Sequence, residues 1–374
     1  VGDTIEERSL SSMFHHSRHT AFRTVAIVAL VLLPVIASAQ SAAGTKTTSA
    51  PLPISSFKDL PVNSPAWAAA EYLKSKGIIQ GDTFKPNDKL TRAQAVKVLV
   101  APLVSADQLK TIKASSFSDV AADAWYMPYA EAAKVIGIID ASSTFSPNKP
   151  VTKAGFIKMI LVAKKIDAVK MYGDFKDPLS SDVKNPTDWF YAPMRYAIAS
   201  SMTAVGGDGL LSPARELTRG EMAILYYRLD MYIAGRRTQA LLSQAETDIG
   251  NVLQMLDQKN IDQAEYASSR AVLASLGALV IRPNEGIVKG AVKISEGFRK
   301  IVAAYRAGTS GNLDLAISNA KDAYALADKA KAFSPNLSFV ASQMQTIAKS
   351  MADEARKVKA QPAVSAPASS AKAK

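Results

Sequence analysis

Gly77-Ile78-Ile79-Gln80-Gly81, then Phe84-Lys85-Pro86, then Leu90-Thr91-Arg92-Ala93-Gln94: these motifs decide the fold, because the chain repeats them. Upstream of them stand Phe57-Lys58-Asp59 and Trp67. A second copy runs Phe117-Ser118-Asp119, Trp125, Gly137-Ile138-Ile139, Phe145-Ser146-Pro147 and Val151-Thr152-Lys153-Ala154. A third runs Phe175-Lys176-Asp177, Trp189, Leu211-Ser212-Pro213 and Leu217-Thr218-Arg219-Gly220-Glu221. From the proline to the threonine is five residues in every copy, and the three tryptophans of the chain are read as sharing one place in the motif. A fixed order of turn residues and aromatic anchors, repeated along a chain, marks stacked supersecondary units.

Each copy predicts a helix, a turn and a second helix. Ser64-Pro65 offers an N-cap followed by proline at the first helical position, and Gly77 suits the left-handed residue that ends the helix. Phe84-Lys85-Pro86 makes an aromatic-anchored turn. Thr91 then caps the second helix, with an apolar stripe through Ala95, Val98 and Leu99. Thr91 with Gln94 and Thr218 with Glu221 fit the capping box, in which cap hydroxyl and N3 side chain each satisfy an orphan N–H. Gly155 at the corresponding place breaks the box in the second copy.

A basic residue follows the cap each time: Arg92, Lys153, Arg219. A cation in the first turn opposes the helix dipole at a cost of about 0.3–1 kcal/mol, so its recurrence asks for a compensating role. Two readings are open, and they can coexist. Helix-start N–H groups beside a guanidinium form an anion site. Alternatively, each cation pairs with a carboxylate of a neighbouring repeat, such as Asp59, Asp119 or Asp177.

The combined pattern F-x-D, W, G-I-I-x-G, F-x-P, T-R-A-E/Q resembles the S-layer homology domain, in three copies over about Phe57 to Tyr232. The resemblance implies a mainly α fold in which three repeats make a three-pronged pseudo-trimer. Each repeat gives one helix to a central bundle and projects the other, and grooves between the prongs bind an anionic wall polysaccharide, often ketal-pyruvylated. The family's groove residues carry over to Arg92 and Arg219 with Lys153 as a substitute, to Asp59, Asp119 and Asp177, to Trp67, Trp125 and Trp189, and to Gly77, Gly81 and Gly137. For the tryptophans, core wedges that seal repeat junctions are favoured over sugar-stacking platforms.

The departures imply unequal grooves. Lys153 is a point charge and cannot grip a carboxylate bidentately as arginine does. The second repeat lacks the second glycine of G-I-I-x-G, with Asp140-Ala141 where the first has Gln80-Gly81, and the third repeat has Ser201–Gly209 in place of that motif and an insertion around Pro178–Pro186. A groove built on Arg92 or Arg219 is expected to be the best one, and a degenerate groove to be structural. The cluster Gly206-Gly207-Asp208-Gly209 lacks the alternating carboxylates of a calcium loop and reads as a plain turn.

The whole chain has 374 residues, 45 Lys and Arg against 33 Asp and Glu, and no cysteine. Disulfides, thiolate metal sites and cysteine nucleophiles are therefore excluded. The three histidines, His15, His16 and His19, precede the apolar run Val25–Ile36 and the Ala37-Ser38-Ala39 cleavage pattern, which reads as a secretory signal over 1–39. The run is shorter than the ~20 residues that span a bilayer, so no stable transmembrane span is expected after cleavage. Residues 1–12 precede an ordinary signal start, which points to translation from Met13. Cleavage after Ala39 leaves a chain with no histidine, and histidine acid–base chemistry, Ser-His-Asp triads and ordinary zinc sites are out of reach. Arg8, Arg18 and Arg23 balance Asp3, Glu6 and Glu7, so the net charge of +12 survives cleavage. On an exported protein this points to an anionic envelope polymer or lipid surface before nucleic acid.

Residues 40–53 read as a linker, 54–112, 113–171 and 172–232 as the three repeats, 236–360 as an antiparallel helical bundle and 361–374 as a disordered tail. The bundle rests on five stripes: Leu242 to Leu256, Ala264 to Ile281, Ile287 to Tyr305, Leu313 to Ala327, and Val340 to Val358. Glu246, Asp248, Asp257, Asp262 and Glu265 read as a solvated helix face, and no aromatic sugar platform surrounds them as a glycosidase site needs. The expectation is a non-enzymatic, wall-associated envelope protein without cofactor. Its repeats hold the polymer, and its bundle serves self-association or an envelope partner, as in a surface-layer subunit. The alternative is a wall-anchored enzyme whose helical part acts on polysaccharide or peptidoglycan.

Overall fold

The computed structural model describes residues 54–361; the expected signal sequence and linker, and all but the first residue of the tail, lie outside the described residues. The described chain is mainly helical, with backbone bridges in place of strands. Its helices are α1 (Trp67–Ser75), α2 (Arg92–Val100), α3 (Ala106–Thr111), α4 (Met127–Ile136), α5 (Lys153–Ala163), α6 (Tyr191–Ala199), α7 (Arg219–Ile233), α8 (Thr238–Asp257), α9 (Ile261–Ile281), α10 (Gly286–Thr309), α11 (Leu313–Phe333) and α12 (Ser338–Ala360). The last five match the five apolar stripes closely.

Both predicted capping boxes form: the Thr91 and Thr218 hydroxyls accept from the N–H groups of Gln94 and Glu221, whose side chains accept in return. In the second repeat Thr152 accepts from Gly155 N–H with nothing returned. A further box, Ser105 with Gln108, opens α3 and went unread in the sequence. The Ser64 expectation fails. α1 begins at Trp67 with no side-chain cap at Ala66, because Ser64 spends its carbonyl on Trp67 N–H in a turn and its hydroxyl on Ala66 N–H.

The chain clusters into two compact units. The described part of one comprises the repeats up to Asp248 together with Ser269–Val288. Its centre is a closed circuit of backbone hydrogen bonds. Leu90 N–H donates to Leu217 O, Leu217 N–H to Val151 O and Val151 N–H to Leu90 O, each at 2.9 Å. Around this circuit α2 packs on α4, α5 on α6 and α7 on α1, so the second helix of each repeat meets the first helix of the next. Leu90, Val96, Leu99, Phe156, Ile157, Ile160, Met222 and Leu229 are buried there. Burying a side chain of this size stabilises by about 1.5–3 kcal/mol, which closes the units without disulfides.

The third repeat also leans on α9. Gly277 approaches Ala199 so closely that a Cβ at 277 would sit 1.6 Å from its carbonyl oxygen, and Tyr232 Oη donates to Gly277 O. Asp248, expected on a solvated face, is buried against Arg270, which also donates to Leu179 O at 2.8 Å. The expectation failed because a helix stripe does not reveal which polar position meets a neighbouring cation.

The other unit holds Ile249–Ser268 and the chain from Lys289 onward. Here α11 packs on α12, and Gly290 and Gly297 of α10 lie against Leu337 and Met344 with no room for a larger side chain. Asp262 and Glu265 share Arg306 at the surface.

Candidate functional site

The junction between successive repeats is built from one turn and one cation. In the first repeat both Asp59 carboxylate oxygens accept backbone bonds, from Phe84 N–H at 2.7 Å and Lys85 N–H at 2.6 Å. Asp119 takes Phe145 N–H and Ser146 N–H in the same way, each at 2.7 Å. The bonds from Phe84 and Phe145 hold the two carboxyls below the ordinary aspartate range. The residue after Phe84, Phe145 and Leu211 is left-handed, with φ of 57° at Lys85 and Ser146 and 52° at Ser212. For a non-glycine residue that conformation costs about 1–2 kcal/mol, which the carboxylate bonds offset.

In the third repeat the carboxylate in this role is Asp182, not Asp177. Asp182 accepts from Leu211 N–H at 3.1 Å and Ser212 N–H at 2.7 Å. Asp177 instead offers its backbone carbonyl to Tyr191 Oη at 2.6 Å. Phe175-Lys176-Asp177 imitates the motif just before the inserted segment, while the true equivalent, Ser180-Ser181-Asp182, has lost its aromatic. The surviving signal was Val183, seven residues before Phe190 and matching Leu60 and Val120 as a buried apolar residue after the aspartate.

The cation comes from the preceding repeat in the circuit. Arg92 donates Nε to Phe145 O at 2.8 Å, Arg219 donates Nε to Phe84 O at 2.7 Å, and Lys153 donates Nζ to Leu211 O at 2.8 Å. Each guanidinium also lies over the ring whose carbonyl it binds, 5.3 Å from the centroid in both cases. Burial lowers the basicity of both arginines, while Asp140 and Asp119 act the other way at Arg92, and Asp88 and Asp59 at Arg219. Neither forms an ion pair among the described residues, so the expected pairing with a neighbour's aspartate is replaced by a bond to the turn that the aspartate holds. Lys153 is only 8% exposed, and burial brings its pKa down to about 8.

The helix-start amides are not free for an anion. Arg92 and Ala93 N–H donate to Lys149 O and Pro147 O, Lys153 and Ala154 N–H to Arg215 O and Pro213 O, and Arg219 and Gly220 N–H to Asp88 O and Pro86 O. The threonine hydroxyls take the third amide. The neighbouring repeat therefore consumes the donors that an isolated helix would offer to a ligand. The Nη groups of Arg92 and Arg219 make no protein hydrogen bond among the described residues.

The tryptophans differ from the expected wedges. Trp125 is 55% and Trp189 60% exposed, each edge-on to its neighbouring ring, and Lys97 Nζ stands 5.5 Å from the Trp125 centroid. Trp67 is half-buried with an unpartnered Nε1, and it is the first residue of α1, whereas Trp125 and Trp189 stand two residues before α4 and α6, so the three tryptophans do not share one place in the repeat. Helix starts at the outer edge of a repeat leave large rings uncovered, which the motif alone does not show. Gly77 and Gly137 end α1 and α4 with φ of 68° and 83°, and Gly81 has φ of 89°. The third repeat repeats this helix end with Ser201 at φ 54°: Met202 N–H reaches Ala197 O as Ile78 reaches Leu73 O and Ile138 reaches Ala133 O.

One further position was missed. Glu71 and Glu131 bind the Ser-Ser pairs before Phe57 and Phe117 through backbone and hydroxyl donors. The equivalent residue of α6 is Arg195, which reverses the polarity and donates to the carbonyls of Phe175, Ala168, Val169 and Met171.

Three such junctions on helical repeats close into a cycle. The S-layer homology domain model matches residues 56–96, 116–156 and 181–223, the third match opening at the Asp182 segment. The chain carries three S-layer homology domains. It is 28% identical over 216 residues to the surface-layer 125 kDa protein of Lysinibacillus sphaericus, covering 56% of this chain and 16% of that protein. It is 30% identical over 186 residues to an amylopullulanase of Thermoanaerobacterium thermosulfurigenes, covering 46% and 9%, and 28% identical over 173 residues to an uncharacterized cell wall amidase of Bacillus anthracis, covering 45% and 31%. The chain thus spans under a third of the length of each relative. The domains and the surface-layer relative locate it at the cell surface in association with the wall. Among the described residues no helix is long and apolar enough to cross a membrane.

Proposed function

We propose that the three repeats form a pseudo-threefold, three-pronged binding module that holds an anionic wall polysaccharide in the grooves between prongs. Arg92 and Arg219 are its ligand-gripping residues, Trp125 and Trp189 are outer platforms for sugar rings, and Lys153 heads a groove with a structural role. The observation that carries this reading is the state of the two guanidiniums. Nε and the ring face are fixed by the next repeat, which leaves the Nη edge as a rigid fork for a carboxylate. The segment 236–360 is the displayed helical module, for self-association or an envelope partner, and the protein is a non-enzymatic surface-layer or tether component. The test is co-sedimentation of mature protein with purified wall sacculi, before and after chemical removal of pyruvate ketals. Binding should fall about a hundredfold in the Arg92→Ala/Arg219→Ala double variant; full binding by that variant overturns the groove assignment.

The names of two relatives, an amylopullulanase and a cell wall amidase, favour a second reading in which the repeats anchor an enzyme. Turnover of wall polysaccharide or peptidoglycan by the mature chain would establish it.

A further inference from the structure

We infer that Asp59 and Asp119 are positioning residues, each acting across a repeat boundary on an arginine that it does not touch: Asp59 orients Arg219 and Asp119 orients Arg92. This rests on the groove reading above and assigns these carboxylates a role other than contact with the sugar.

The chain of contacts is short. Asp59 accepts the N–H groups of Phe84 and Lys85 and so holds Lys85 in its left-handed conformation. That conformation sets the direction of the Phe84 carbonyl, which takes Arg219 Nε, and the ring of the same residue underlies the guanidinium. Asp119, Ser146, Phe145 and Arg92 repeat the arrangement. Asp182, Ser212 and Lys153 repeat it again without an aromatic ring. Recurrence in three repeats, with lysine once and serine twice at the left-handed position, points to a role for the clamp itself. It also makes each arginine site a product of two repeats, and the Arg219 site depends on the third repeat closing onto the first.

The sign of the charge supports the assignment. A carboxylate in contact with an anionic polymer would repel it, so its neutralisation should strengthen binding. A carboxylate that orients the guanidinium does the opposite, and its loss should weaken binding.

The experiment uses mature full-length protein and isolated wall polysaccharide as the probe. Asp59→Asn with Asp119→Asn should lower affinity about tenfold. Adding Lys85→Gly and Ser146→Gly, which adopt the left-handed turn without help, should restore most of it. In the absence of polysaccharide, Asp59→Asn should shift the Arg219 Nε–H resonance and leave that of Arg92 in place, and Asp119→Asn should do the reverse. Unchanged or tighter binding by the aspartate variants overturns the proposal. So does a loss that the glycines do not restore, or a loss with both resonances unmoved. Should one asparagine variant not fold, the resonances of the other single variant and of the glycine-bearing variant decide. The Arg92→Ala/Arg219→Ala protein, run beside them, separates failure of the groove reading from failure of the clamp, since the ligand-free resonances report the clamp whether or not polysaccharide binds.

Discussion

At the junction of the first two repeats, Arg92 lays a guanidinium on the Phe145 ring, gives Nε to its carbonyl and keeps its outer edge clear. At the junction of the second and third, Lys153 gives its ammonium to Leu211 O and is sealed from solvent. The backbone is the same at both places: a left-handed turn held by an aspartate, a threonine-capped helix, and amides donated to the turn of the next repeat. What differs is the planar fork and the ring beneath it. One scaffold therefore carries, in two places, a half-buried guanidinium whose Nη groups bond to no described protein atom, and in the third a cation spent on closure. The third repeat shows the same shift elsewhere. Arg195 replaces the glutamate of the first two, and α9 buttresses a face that the others do not have covered in this way.

The largest effect that would break this comparison lies at the buttress. Gly277→Ala places a methyl inside the Ala199 carbonyl and should cost about 4 kcal/mol in chemical denaturation, while Gly207→Ala, with open space around it, should leave the midpoint nearly unchanged. Arg195→Ala strands four carbonyl partners and should cost about 3 kcal/mol, against about 1 kcal/mol for Glu71→Ala at the exposed equivalent. In binding, Arg92→Ala with Arg219→Ala should lose about a hundredfold, roughly 2.7 kcal/mol, whereas Lys153→Met should change affinity under about twofold. Equal losses would abolish the distinction between presented and sealed cations.

The smallest effect is a pH slope. Lys153 has a folded pKa of about 8, below its ordinary value of 10.5, because burial disfavours the ammonium. Between those two values the unfolded chain binds a proton that the folded chain does not. This group therefore makes stability rise with pH across that window, and its contribution is flat below about 8. Denaturation midpoints from pH 7.5 to 10.5 should show that rise in the parent protein and lose it in Lys153→Met.

Much of this was legible in the motif. The capped helices, the turn prolines and the five later stripes all follow from local rules that a short window contains. Asp182 was hidden because Phe175-Lys176-Asp177 satisfies the pattern by letter while the insertion moves the working turn contact to Ser180-Ser181-Asp182. Asp248 and Arg270 were hidden because each looks like an ordinary surface charge on its own helix. The tryptophans were misjudged because a large aromatic residue carries no mark of whether a neighbour covers it.

Sequence alone determined that the chain is built from three like units followed by long helices, and that its chemistry excludes thiols throughout. Those are statements about composition and short-range order, where each residue's own conformational preference prevails. Only the tertiary structure decided that the helix-start amides are consumed by the adjoining repeat, that two cations are half-buried with Nη groups unbonded to described protein atoms while the third is buried, and that α9 supports the third repeat. These depend on which unsatisfied donor meets which carbonyl over separations of 53 to 135 residues, and burial, not local preference, settles that.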